Sequence, residues 1–282
     1  MNIQELFEKM KTGMIYKSVD LPSLINEVGR QQLIQKVLDN AGNVCSLIRE
    51  NMMGIHDRLV EEQHLTKDEC IQLFNGSLEN LFKGLGSKGD DTVFTRAFTS
   101  LYIAYIVIMD EDLELLTQDQ YMLALDKAVE YMQREVDRRG FVMGKGWAHA
   151  PAHGADLLCA LASSTKFPME YAGKILECIK FHITSQDSFI HGEESRMAAI
   201  VPILLEKGYN SAALESWLEG MVRGIRHGIV PYSDESYPPS HVIFKVSYFA
   251  MAIYCVVDDG PYNGTLKPFL KQFMANIWAL SE

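Results

Sequence analysis

A chain of 282 residues with 37 acidic and 26 basic side chains has a net charge of −11, which disfavours long-range attraction to nucleic acid or anionic membranes. Apolar residues at 48% and charged residues at 22% match ordinary globular proteins, so the chain is expected to fold around a sizeable core. The longest apolar stretches, Leu101 to Met109 and Val246 to Val257, are short of the roughly 20 residues that cross a bilayer.

The start of the chain, Met1 to Glu8, is acidic and amphipathic and lacks the continuous apolar segment of an export signal, which points to the cytoplasm. Asp20 and Pro22 open a helix to about Leu38, with the proline in the first turn where its missing N–H costs little. Asn40 and Gly42 stop it. A second helix follows from about Val44 to Glu62, and Thr66 with Glu69 forms a capping box that opens a third, ended by Gly84 and Gly86.

Asp90 or Asp91 can cap the next helix, Val93 to Met109, which is apolar on most sides and therefore expected at the centre of the fold. Arg96 lies in its first turns and needs a carboxylate or carbonyl partner, unless it grips an anionic ligand. Asp110, Glu111, Asp112 and Glu114 form an acidic turn expected to be solvated, since it lacks the glycine spacing of a calcium loop. Thr117 with Gln120 opens a helix through Val136.

Further helices are expected over Ala152 to Ser163, Pro168 to Phe181, Gly192 to Glu206, Ser211 to Arg226, His241 to Val257 and Asn263 to Ala279. Between them, Gly228 to Ser240 is looser, with Pro231, Pro238 and Pro239. The predicted class is all-α. About a dozen helices on short loops, without a shared period, suggest one domain over 1–282, an irregular α/α superhelix of stacked antiparallel HEAT-like hairpins. The five cysteines, odd in number and without a Cys-x-x-Cys pair, are expected as reduced, buried thiols.

The candidate site is the connection from Asp137 to Asp156, which holds two histidines, two aspartates, three basic residues, a tryptophan and four glycines. Pro151 fixes a helix start there, with Ala150 near the N-cap and His149 just outside. His153 then falls in the first turn, and Asp156, three residues on, shares its face. Three readings stay open: a divalent metal on His149, His153 and a carboxylate, supported by Glu135, Asp137 and Asp156; a metal-free pocket walled by Trp147, with Arg96, Arg138 or Lys145 meeting ligand charge; or a polar network that braces the connection. Glu194 is a carboxylate expected to turn toward the same cavity, and Lys245 in an apolar helix either snorkels or faces a groove. Phosphate-loop and Gly-x-Ser-x-Gly patterns are absent.

Three segments, Asp91 to Phe98, Asp137 to Gly140 and Gly146 to Asp156, together resemble the bacterial family called domain of unknown function 2785. The resemblance covers most of the chain, with Glu194 and Arg196 as a further family position. It implies an all-helical cytoplasmic bacterial protein and brings no established activity. Lanthionine synthetase C-like proteins are a looser likeness, but their zinc-holding Cys-His pair is missing here, so no metal and no other cofactor is assigned. The expectation is a scaffold or binding protein for a small molecule or protein partner. The alternative is a hydrolase-type or metal-assisted enzyme working through His149, His153 and Asp156 on a small polar or phosphorylated substrate.

Overall fold

A computed structural model describes residues 3–226, 240–257 and 263–278. The chain divides into two compact units, Met1–Lys166 and Phe167–Glu282. Helices make up most of both, so the all-α class holds.

The first unit contains α1 (Ile3–Met10), α2 (Leu21–Val28), α3 (Arg30–Asn40), α4 (Ser46–Glu61), α5 (Lys67–Asn80), α6 (Thr92–Leu113), α7 (Gln118–Arg134) and α8 (Ala150–Ser163). Asp20 caps α2 by accepting from Ser23 N, with Pro22 in the first turn. The helix expected to reach Leu38 breaks at Gly29, whose φ of 82° lies outside the helical range; the apolar spacing runs through the break and hides it. Both capping boxes form as the sequence indicates, Thr66 with Glu69 on α5 and Thr117 with Gln120 on α7.

Helix α6 is the centre of this unit, packed against α4, α5, α7 and α8, with Val93, Phe94, Phe98, Ile103 and Ile106 buried. At 22 residues and a mean hydropathy of 1.5 it is long and apolar enough to cross a bilayer, although its apolar run in sequence looks shorter. Its apolar stretch is 72% buried, as suits a core helix.

The acidic turn after α6 is not simply solvated. Asp110 is buried, accepts from Leu116 N at 2.7 Å and pairs with Lys166. Glu111 takes Ser164 Oγ at 2.7 Å and Thr165 N at 3.0 Å. These carboxylates fasten the end of α6 to the end of α8.

Between α7 and α8 lies a two-stranded antiparallel hairpin, β1 (Phe141–Val142) and β2 (Gly146–Trp147), pairing Phe141 with Trp147 and Val142 with Gly146. Sequence periodicity misses it, because two residues per strand cannot show an alternation.

The second unit contains α9 (Ala172–Ile183), α10 (Glu193–Ala198), α11 (Ile200–Glu206), α12 (Ser211–Arg226), α13 (Ser240–Val256) and α14 (Asn263–Trp278). The helix expected over 192–206 arrives as α10 and α11, because Pro202 has no N–H for the carbonyl of Ala198 and its ring crowds that carbonyl. Helix α13 is central here, packing on α9, α10, α12 and α14 through Val246, Phe249 and Ile253. His227 and the Pro/Tyr-rich piece from 228 to 239 lie outside the described residues.

Cys70 and Cys178 are buried thiols as expected, whereas Cys45 and Cys159 are half-buried and Cys255 is exposed. In the α3–α4 turn, Gly42 presses against α6: a Cβ there would meet the Cα of Thr95 at 2.8 Å and its Oγ1 at 1.9 Å. Backbone cannot yield as a flexible side chain does. Gly42→Ala is therefore expected to cost about 1–3 kcal/mol by overpacking, read as a lower urea midpoint with an unchanged slope; an unaltered midpoint would show that the α3–α4 turn is not pressed against α6.

Candidate functional site

The site is built outward from α4. Arg49 has no exposed surface, and its guanidinium lies between two aromatic faces of α6, 4.4 Å from the Phe94 ring centre and 4.6 Å from that of Phe98. It donates to Asn43 O at 2.5 Å, Lys145 O at 2.8 Å and Trp147 O at 3.2 Å. One cation thus ties the hairpin to the two central helices. Nε has no acceptor among the described residues, and burial lowers the Arg49 pKa to about 10, which still leaves the group charged at neutral pH.

The hairpin sits directly on the start of α4. Gly146 has φ 80°, and a Cβ there would lie 2.8 Å from Ser46 Cβ and 3.3 Å from an Arg49 guanidinium nitrogen. Only glycine meets both demands. Gly144, with φ 76°, makes the turn, closed by Lys145 N to Val142 O at 3.0 Å. Lys145 reaches Asp91 at 2.7 Å, but both groups are about two-fifths exposed, so this pair adds little.

After the hairpin, Ala148 N donates to Gly140 O and His149 N to Arg139 O, at 2.9 and 3.0 Å. His149 is the N-cap of α8, one position inside the expected frame, with left-handed φ 52° and ψ 30°. That conformation costs a non-glycine residue roughly 1–2 kcal/mol. Pro151 occupies the first turn as expected, and His153 N closes on His149 O at 2.9 Å.

These residues form a ladder of rings from core to surface. Phe98 meets His153 edge-on at 5.4 Å, and His153 meets His149 edge-on at 5.9 Å. His149 stacks on Trp147 at 4.4 Å and 29°, and Trp147 meets Phe141 edge-on at 5.1 Å. The two imidazoles are adjacent but 9% and 7% exposed, while Trp147 is 37%, Phe141 46% and Met143 86% exposed. The exposed face of the ladder is apolar and aromatic. Asp156 is half-buried on α8 one turn beyond His153.

Arg96 and Asp137 stand in a different network. Arg96 is fully buried, with Nε and Nη2 on the two Glu135 oxygens at 2.6 and 3.1 Å and Nη1 on Lys83 O, Gly84 O and Thr92 Oγ1. Glu135, the extended residue that ends α7, also accepts from Asp137 N at 2.8 Å. Asp137 in turn accepts from Gly89 N at 2.8 Å and from the Arg139 guanidinium at 2.7 Å. Arg138 is buried next to them. Glu194 belongs to the second unit, buried in the first turn of α10.

The structure therefore brings together His149, His153 and Trp147, and gives Arg96 and Asp137 bonds within the protein. Arg49 and the exposed pair Phe141 and Met143 are the residues sequence reasoning passes over. The available signal was Gly144-Lys145-Gly146 between two aromatic residues, a turn between short strands. Glu135→Ala would leave the Arg96 charge buried without its carboxylate, an expected loss of about 3–5 kcal/mol. Adding Arg96→Met should recover a large part of it in a double-mutant denaturation cycle. Additive losses would contradict this.

Within this geometry, residues 81–255, more than half of the chain, match the family model described as protein of unknown function (DUF2785), which takes in the hairpin, the ring ladder, the Arg96 network and Glu194. No curated protein and no solved structure matches the chain. The chain belongs to the DUF2785 family.

Proposed function

We propose that this chain is a binding protein whose contact surface is the aromatic face of the hairpin in the first unit. One observation carries the reading: half-exposed Trp147 lies stacked on an imidazole held in a strained backbone conformation. Such strain persists where the surroundings fix it, and it clusters at ligand sites. Here the fixing comes from the Arg139 and Gly140 carbonyls and from Arg49. A flat polar ligand can stack on Trp147 and bond its imidazole neighbour, with Phe141 and Met143 as an apolar rim. The remaining helices act as scaffold, which we read as an irregular stack of HEAT-like antiparallel hairpins.

A hydrolase-type or metal-assisted enzyme is the second reading. Adjacent imidazoles at 5.9 Å and Asp156 one turn on favour it; their low exposure weighs against it. A thermal-shift panel of nucleotides and aromatic carboxylates tests the first reading. At least one compound should raise the melting temperature by more than about 2 °C, roughly 1 kcal/mol of ligand stabilisation. Trp147→Ala and His149→Gly should each abolish that shift. Because glycine relieves the strain at 149, His149→Gly is expected to melt within a few degrees of the parent. A shift that survives both substitutions, or none across the panel, counts against the proposal. Turnover of 4-nitrophenyl acetate or phosphate that His153→Ala abolishes would instead establish the enzyme.

A further inference from the structure

We propose that the second unit holds a separate site, a pocket on α13 for a small apolar amine. The cavity measures about 470 Å3 and lies between α13 and the 189–195 segment. That volume falls within the roughly 300–1,000 Å3 of small-molecule sites. Its walls are mainly hydrocarbon: Ile190, Tyr248, Met251 and Val256 line it and keep 76, 55, 46 and 46% of their surface exposed. Four large apolar side chains around one cavity are more than the scattered exposure normal for a surface.

One acidic group breaks this lining. Glu194 is 6% exposed and lines the cavity. Its carboxylate takes a hydrogen bond from its own backbone N–H, and no other described residue donates to it or forms an ion pair with it. Lys245, the cation whose field reaches it, is directed elsewhere: its ammonium bonds Ser185 O at 2.5 Å and Ser185 Oγ at 2.9 Å and lies 4.9 Å from the Phe189 ring centre. Burial raises the Glu194 carboxyl above its usual range, as expected for a charge without a partner.

A buried carboxylate in a hydrocarbon wall is costly until a donor reaches it. A ligand with an ammonium head and an alkyl tail supplies the donor and fills the walls together. An alcohol supplies a weaker donor, and a carboxylic acid places like charges side by side. The chemistry therefore orders ligands as amine, then alcohol, then acid. This site uses residues of the second unit alone and stands independently of the hairpin reading.

Cys255 lines the same cavity and gives a readout without a known ligand, because it is exposed while Cys70 and Cys178 are buried and Cys45 and Cys159 are half-buried, and its peptide is resolved from theirs by mass. The rate of N-ethylmaleimide labelling at Cys255 in the full chain, followed by peptide mass spectrometry, is measured with hexylamine, hexanol or hexanoate. Hexylamine is expected to slow labelling at least fivefold, hexanol less, and hexanoate not at all. Glu194→Gln should reduce hexylamine to the level of hexanol, and Met251→Trp, which fills the cavity, should remove protection by both. Equal protection by amine and acid, full amine protection in Glu194→Gln, or no protection by any of the three would overturn the proposal.

Discussion

The first unit depends on how one buried cation is accommodated. Arg49 cannot reach water, and its charge is met by two ring faces of α6 and by three backbone carbonyls, two of them on the hairpin. These partners come from α6, the α3–α4 turn and the hairpin, so the guanidinium can meet all of them only when α4, α6 and the hairpin hold one relative position. The planar fork suits this task in a way a lysine would not. Phe98 extends the arrangement, since its ring meets both the Arg49 guanidinium and the His153 imidazole. The candidate site is in this sense the outer end of a core interaction.

The Arg96 network has another role. A bidentate pair with Glu135, both side chains without exposure, gains Coulomb energy against a large desolvation cost, so it does not by itself establish net stability. It does fix geometry: Glu135 and Asp137 knit the end of α7 to the loop before α6, and Arg139 extends the link to the carbonyls of Gly89 and Asp90. The hairpin leaves from this braced segment and lands on α4. Its short strands survive because both ends and the middle are tied.

Much of the helical layout was legible because its signals are local. The two capping boxes, Pro151 at the start of α8 and the all-round apolar character of α6 depend on residues within a turn or two. What was missed depends on distance or on backbone conformation. Arg49 looks like an ordinary helix residue, and its key acceptors lie 96 and 98 positions downstream. Gly29 interrupts a helix whose apolar spacing continues unbroken. His149 and His153 were expected together and do lie together, but their cover by Trp147 and Phe98 could not be inferred from spacing. Asp137 reads in sequence as available for a ligand, and its partners Gly89 and Arg139 emerge only when the loop before α6 is in place.

The most direct test of Arg49 as the holder of the hairpin is amide hydrogen exchange in Arg49→Met, which keeps an unbranched apolar stem and removes the charge and the donors. Protection at the amides of Lys145, Ala148 and His149 should fall at least tenfold, relative to the parent, while the amides of α5 stay protected. Unchanged protection at those three amides would contradict the account.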